Sequence, residues 1–188
     1  MIDRWSYLQQ DFVFLRSDIR FQFGLYYRTE DWSILSTEAL QIITRGFEYA
    51  KEQLDTCIED LQISKTTMLT AAPTHQLQKY IDFQHEALEN ESWISLHVLL
   101  LPCIIGYYEI AHGLKHDSST RNDTVFYQLW IEPNSDPDDL EAYTDYLNKN
   151  MAHVNPHPIE VERWSALFRK ACEMEISFLD TGLLDQSK

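Results

Sequence analysis

Leu99-Leu100-Leu101-Pro102-Cys103-Ile104-Ile105-Gly106-Tyr107-Tyr108-Glu109-Ile110 is an apolar, helix-like run with a proline inside it, a thiol directly after the proline and two tyrosines behind. A segment this apolar is expected to be buried. At about 100° per residue, Cys103 and Tyr107 stand one turn apart on one face. Pro102 has no N–H, so a helix that begins before it leaves a carbonyl near Val98 without its partner and kinks beside the thiol. The plain reading is a core helix with a core cysteine, because unpaired cysteine is among the most buried residue types.

Outward from this run the chain reads as helix after helix. Upstream, Leu8, Phe12, Leu15, Ile19, Phe23 and Tyr26 recur at three- and four-residue steps with no proline between 5 and 27, which predicts a long amphipathic helix. A second helix fits 36–61, with Leu40, Ile43, Phe47, Ala50, Leu54, Cys57, Ile58 and Leu61 as its buried side. Ser64-Lys65-Thr66-Thr67 and Pro73-Thr74 read as turn and helix entry, a third helix as 73–90, and Ser92 as the N-cap of the helix that carries the central run to Lys115. Downstream, 117–123 is a polar loop, and a short helix through Phe126, Tyr127, Trp130 and Ile131 is expected to stop at Pro133.

Asp136-Pro137-Asp138-Asp139 is a helix start: an N-cap acid, proline in the first turn, and acids facing the positive end of the helix dipole. That helix is expected to reach Met151. Asn155-Pro156-His157-Pro158 breaks the chain, and a last helix follows with Trp164, Leu167, Phe168, Ala171, Cys172, Phe178 and Leu179 at helical spacing and Gly182 as its stop. Strand signals are almost absent, and no repeat or linker divides the chain. The expectation is one all-α, helical-bundle domain over 1–188.

Composition narrows the function. The chain has 188 residues, 44% of them hydrophobic and 24% charged, which is the make-up of a globular domain with a sizeable core. A net charge of -15 argues against nucleic acid and anionic lipid as partners, since both need clustered Lys and Arg. Small neutral or cationic ligands fit better. Cys57, Cys103 and Cys172 are odd in number and lack a Cys-x-x-Cys spacing, which indicates neither a disulfide framework nor a thiolate zinc site and suits a reducing cytoplasm. Met1-Ile2-Asp3-Arg4-Trp5 has no apolar leader, and no apolar run is read as approaching bilayer length.

Three helices put a reactive group where periodicity asks for a hydrophobe: Asp11, Cys103 with Tyr107, and Glu175. A buried carboxylate is costly unless paired or hydrogen-bonded, and desolvation together with mutual hydrogen bonds is what tunes an acid, a base and a thiolate. Glu109-Ile110-Ala111-His112 has the Glu-x-x-His spacing of di-iron bundles, but those sites need the motif twice and it occurs once, so no metal is expected. His85 and Glu89 share a helix face without a second ligand pair, and His153 and His157 flank turn residues.

Leu100-Leu101-Pro102-Cys103 followed by Tyr107, Glu109 and Ile110, then Tyr127-x-x-Trp130-Ile131, then Glu175-x-x-Phe178, resembles the TenA family of thiaminase-II type aminopyrimidine hydrolases. Tyr7-Leu8-Gln9-Gln10-Asp11 is similar to the family's early helix ending in Gln-Asp. The resemblance implies a heme-oxygenase-like helical fold that binds no heme, no cofactor, a small-molecule aminopyrimidine as ligand, and a homo-oligomer, dimer or tetramer. It also implies roles: Asp11 holds the ring, Cys103 is the nucleophile, Tyr107 lines and hydrogen-bonds the site, and Glu175 handles the proton of the leaving amine. The pattern departs from the family's at Phe14, where a second tyrosine is usual, at Gln78, where an aromatic ring lines the pyrimidine, and at Asn134, where a tyrosine follows the Trp-Ile pair. On the same alignment the chain begins near the family's second helix.

Two functional classes follow. One is a hydrolase of aminopyrimidines from thiamin or its breakdown products, acting in thiamin salvage or degradation. The other is a degenerate member that binds a pyrimidine or a protein without turnover. A thiol, a carboxylate base and a ring-holding acid together favour the enzyme, since a binder has no need of a nucleophile.

Overall fold

The computed structural model of the chain describes residues 4–184, with side chains described over 7–180. Every regular element among the described residues is helical. In chain order they are α1 (Arg4–Tyr27), a π-helical turn (Ile34–Ala39), α2 (Leu40–Glu59), α3 (Lys65–Thr70), α4 (His75–Asn90), α5 (Trp93–His116), a second π-helical turn (Tyr127–Ile131), α6 (Glu132–Asn134), α7 (Asp138–Val154) and α8 (Pro158–Leu184). The chain clusters into two compact units, one running to Trp93 and taking in the end of α8 from Ile176, the other spanning Ile94–Glu175.

The first unit is built on α1, which packs against both α2 and α4. Its apolar surface is wider than one stripe: Tyr7, Leu8, Phe12, Val13, Phe14, Phe21 and Leu25 are all buried. Only helices on more than one side can bury so much of a helix. Small residues set the spacing of these contacts. A Cβ on Gly46 of α2 would stand 3.3 Å from Ile19 Cγ1, and one on Gly24 would stand 2.9 Å from Leu88 Cδ1 of α4. The buried line of α2 therefore runs through Ala50, Gln53 and Cys57, not through the larger apolar residues. Leu40 and Phe47, expected inside, are 64% and 53% exposed, and Phe47 meets the equally exposed Phe23 edge to face at 6.2 Å.

Local polar chemistry fixes the helix starts. Ser64 Oγ accepts the Thr67 N–H at 3.0 Å and opens α3, a short helix where only a turn was expected. Thr74 Oγ1 accepts the Leu77 N–H at 3.3 Å and opens α4. Gln10 ties this entry to α1, donating to the Ala72 carbonyl at 3.0 Å and accepting the Thr74 N–H at 2.7 Å. At the far end of α4, Arg28 donates to the carbonyls of Leu88 and Glu91.

In the second unit, Val98 of α5, Leu147 of α7 and Trp164 of α8 form a buried cluster, with Tyr143, Tyr146 and Phe168 packed on it. Trp164 Nε1 donates to Ser95 Oγ at 3.2 Å, and Tyr143 donates its hydroxyl to the His97 carbonyl at 2.9 Å. Asp136 Oδ1 accepts the Asp138 N–H at 3.1 Å, and α7 begins with Asp138, Asp139 and Glu141 in its first turn. The helix runs three residues past Met151 to Val154 and ends on Asn155, whose φ of 44° is left-handed.

Three sequence expectations are corrected here. Pro133 does not stop its helix: the Glu132 N–H bonds back to the Tyr127 carbonyl, five residues away, and the chain resumes as α6 with proline in the first turn, where its missing N–H costs nothing. Gly182 does not stop α8, which continues to Leu184, since a glycine in a helix carries a penalty of only about 1 kcal/mol. Finally, α5 does reach bilayer length: it has 24 residues and an 18-residue window of mean hydropathy 1.6. Buried core helices share that length and composition, and 95–100 of α5 are packed inside the protein, but the run 99–110 is not buried throughout as expected: only Leu99, Leu100 and Pro102 of it are buried, 103–108 are half-buried and Ile110 is exposed.

Candidate active site

In the first unit, Asp11 is 2% exposed on α1. Burial pushes its carboxyl up to about 7, partly offset by a hydrogen bond from the Gln53 side chain. Gln53, itself buried on α2, also donates to the Leu8 carbonyl at 3.0 Å, so its amide is fixed against α1 where it meets the acid. Cys57 lies one turn further along α2. Its thiol is pushed up to about 11 by burial and by the Asp11 charge.

One turn beyond Asp11, Phe14 stacks on Tyr80 of α4 at 5.2 Å and tilts against Phe178 of α8 at 5.6 Å. Tyr7 stacks on the same Phe178 ring at 5.6 Å. The first unit thus sets a buried, proton-sharing carboxyl beside a cluster of aromatic rings. Such a pair suits a flat heteroaromatic ligand with a basic ring nitrogen: the rings offer stacking and the acid offers a charge-assisted hydrogen bond.

Gln78 is not part of that cluster. It is exposed, and its Nε2 donates to Asp82 Oδ1 at 2.7 Å one turn along the outer face of α4. The aromatic residue of α4 at the cluster is Tyr80, two residues on and 1% exposed. In the sequence, Tyr80 falls on the i, i+3/i+4 pattern of Leu77, Tyr80, Ile81 and Gln84, which marks it as a core aromatic and nothing more.

In the second unit, Cys103 and Tyr107 stand one turn apart on α5, the thiol half-buried. Pro102 lies within the helix next to the thiol. The Tyr107 ring meets Trp130 at 5.4 Å, and Trp130 stacks on Phe126 at 5.5 Å with planes only 10° apart. Trp130 belongs to the second π-helical turn, a local widening that turns its ring onto α5. Its indole N–H is buried and has no hydrogen-bond acceptor among the described residues.

Asn134 is half-buried and spends its amide on the Trp130 carbonyl at 2.7 Å, closing the end of this segment. Glu175 is 6% exposed on α8. Its charge, after burial, raises the neighbouring Cys172 thiol. Glu109 and His112 are both exposed; the His112 carbonyl takes the His116 ring at 2.8 Å, and the two imidazoles lie tilted against each other at 4.3 Å. No cluster of three or more His, Cys, Asp or Glu side chains fit to hold a metal ion occurs among the described residues.

With this geometry in view, comparison with known proteins is decisive at the level of family. The family model of TENA/THI-4/PQQC matches residues 5–186. Among solved structures, a TenA family transcription regulator from Silicibacter sp. TM1040 is 25% identical, covers 96% of this chain and 81% of its own, and superposes with a TM-score of 0.76. A TenA homologue from Pyrococcus furiosus, 18% identical over 97% of this chain and 84% of its own, has the same fold with a TM-score of 0.79. No curated protein matches. The fold is the all-α fold of TenA structures. The chain belongs to the TENA/THI-4/PQQC family.

Proposed function

We propose that the chain is a cytoplasmic hydrolase of aminopyrimidines derived from thiamin or its breakdown products, working through a cysteine nucleophile. The observation that carries this reading is Asp11: a carboxyl pushed up to about 7 one turn from a stacked aromatic cluster is costly for the fold and suited to an aminopyrimidine ring. Membership of the family supports the substrate class, and the sequence resemblance drawn above is what assigns roles to Cys103, Tyr107 and Glu175.

In this mechanism Asp11 holds the ring by a shared proton and Tyr107 lines the site. The Cys103 thiolate adds to a ring carbon. The electron pair displaced through the ring expels the amine from the exocyclic carbon, and Glu175, whose carboxylate has taken the proton of the Cys103 thiol, passes that proton to the amine as it leaves. Water then adds to the exocyclic carbon and returns a proton to Glu175. The ring expels the thiolate and recovers its aromaticity, so the net reaction is amine plus water exchanged for ammonia plus alcohol. No cofactor is required.

Ammonia release from 4-amino-5-aminomethyl-2-methylpyrimidine tests the proposal. Wild-type protein is expected to release it, and Cys103→Ser to lose turnover while keeping its melting midpoint. Equal turnover in Cys103→Ser would leave a pyrimidine-binding protein as the better account. The regulator named among the similar structures raises a DNA-binding alternative, but a net charge of -15 opposes contact with a phosphate backbone. We also propose a homo-oligomer, supported by Phe23, Trp32, Leu40 and Phe47, four large apolar side chains exposed on the first unit, of which Phe23 and Phe47 touch.

A further inference from the structure

Among the buried polar groups of the first unit is one that the mechanism above does not use and that the protein itself leaves unpaired. Gln84 of α4 is 1% exposed, and neither its Oε1 nor its Nε2 has a hydrogen-bond partner among the described residues. A carboxamide left in that state is costly, because both its donor and its acceptor have given up water and received nothing. Exchanging the oxygen and nitrogen of the amide changes nothing, since both atoms are orphaned.

Helix geometry fixes which way the position faces. Tyr80, Gln84 and Leu88 are spaced by four residues and so form one line along α4. The members on either side of Gln84 both touch α1: Tyr80 stacks on Phe14, and Leu88 closes on Gly24. Gln84 therefore faces α1 between those levels, where Ser17 and Phe21 are buried, about one turn beyond the aromatic cluster. Asp11 lies one turn on the other side of Phe14. The cluster is thus bracketed by two buried polar groups, a carboxyl and a carboxamide.

We propose that Gln84 is a specificity-determining residue of the pyrimidine site, whose amide donates to a ring nitrogen and accepts from an N–H or O–H of a ring substituent, on the edge of the ligand turned away from Asp11. This rests on the aminopyrimidine reading above. A primary carboxamide matches an adjacent acceptor and donor on one edge of a heteroaromatic ring, as glutamine matches adenine. The cost of leaving it unpaired in the free protein then becomes selectivity for ligands that carry both groups.

The test compares wild type with Gln84→Met and Gln84→Leu by calorimetric titration with 4-amino-5-aminomethyl-2-methylpyrimidine, alongside the melting midpoint of each protein without ligand. Removing two hydrogen bonds is expected to weaken binding by about 10- to 100-fold. The unliganded variants are expected to melt no lower than wild type, because no bond within the protein is lost. Binding equal to wild type in both variants overturns the role of Gln84 and leaves the aminopyrimidine reading intact. Variants that melt markedly lower or fail to fold overturn it too, since the amide then serves the fold. Wild type that binds no aminopyrimidine removes the reading itself and this proposal with it.

Discussion

Asp11 carries most of the chemistry legible at the scale of single residues. Its folded-state pKa, about 7, lies above the ordinary carboxyl value of 3.8, so between those values the folded protein holds a proton that the unfolded chain has released. Stability from this group is therefore greatest below about pH 4 and is lost as pH rises towards 7. Asp18, pushed by burial to about 6, acts in the same direction. Thermal melts from pH 4 to pH 8 are expected to show a falling midpoint in wild type and a flatter profile in Asp11→Asn; a steeper or unchanged profile in the variant would show that the carboxyl is not held this way.

The thiols separate by environment. Cys57 is buried and pushed up to about 11, and Cys172 is raised as well, so both hold their protons at neutral pH. Each also has a carboxylate neighbour: Glu175, one turn from Cys172 in the sequence, and Asp11, which only the packing of α1 on α2 brings to Cys57. Limited iodoacetamide labelling followed by peptide mapping is expected to find Cys103 modified first. Labelling of Cys57 ahead of Cys103 in folded protein would contradict this order. Glu175→Gln is expected to lower turnover of the aminomethylpyrimidine by about 10²- to 10⁴-fold with a smaller effect on binding, as befits a group that moves a proton.

At the scale of elements, the seam between α1 and α2 depends on Gln53. Its amide serves both the Leu8 carbonyl and Asp11, so Gln53→Leu removes a donor from a buried acid. The expected loss is about 1–3 kcal/mol, larger at pH 8 than at pH 5 because only the charged carboxylate misses its donor fully. Denaturant titrations at the two pH values measure it, and an equal loss at both would separate Gln53 from Asp11.

Much of this layer was legible in the sequence. The helix entry at Pro73-Thr74, the helix start at Asp136 and the break at Asn155 are local chemistry that no distant contact overrides. What the sequence hid depends on neighbours. Apolar periodicity placed Leu40 and Phe47 inside, but the close approach at Gly46 brings the small-residue line of α2 to α1 and turns the larger side chains outward. The two π-helical turns leave no compositional trace, and the second is what carries the chain past Pro133. For the site, Asp11 and Glu175 were visible as polar breaks in apolar stripes, whereas Tyr80 was hidden by its ordinary role as a core aromatic.

For the whole molecule, association and catalysis are the open quantities. Phe47 is exposed and touches Phe23, so Phe47→Glu is expected to change stability by no more than about 0.5 kcal/mol while shifting light scattering from oligomer towards monomer. A wild type that is monomeric at high concentration would remove the homo-oligomer. The central claim is that this member of the TENA/THI-4/PQQC family cleaves an aminopyrimidine through Cys103. The most direct measurement is mass spectrometry of the intact protein mixed rapidly with 4-amino-5-aminomethyl-2-methylpyrimidine, read together with ammonia release. The account expects steady ammonia release and a transient pyrimidine adduct that maps to Cys103, both absent in Cys103→Ser; ammonia release that persists in Cys103→Ser, or an adduct on Cys57 or Cys172 instead, would contradict it.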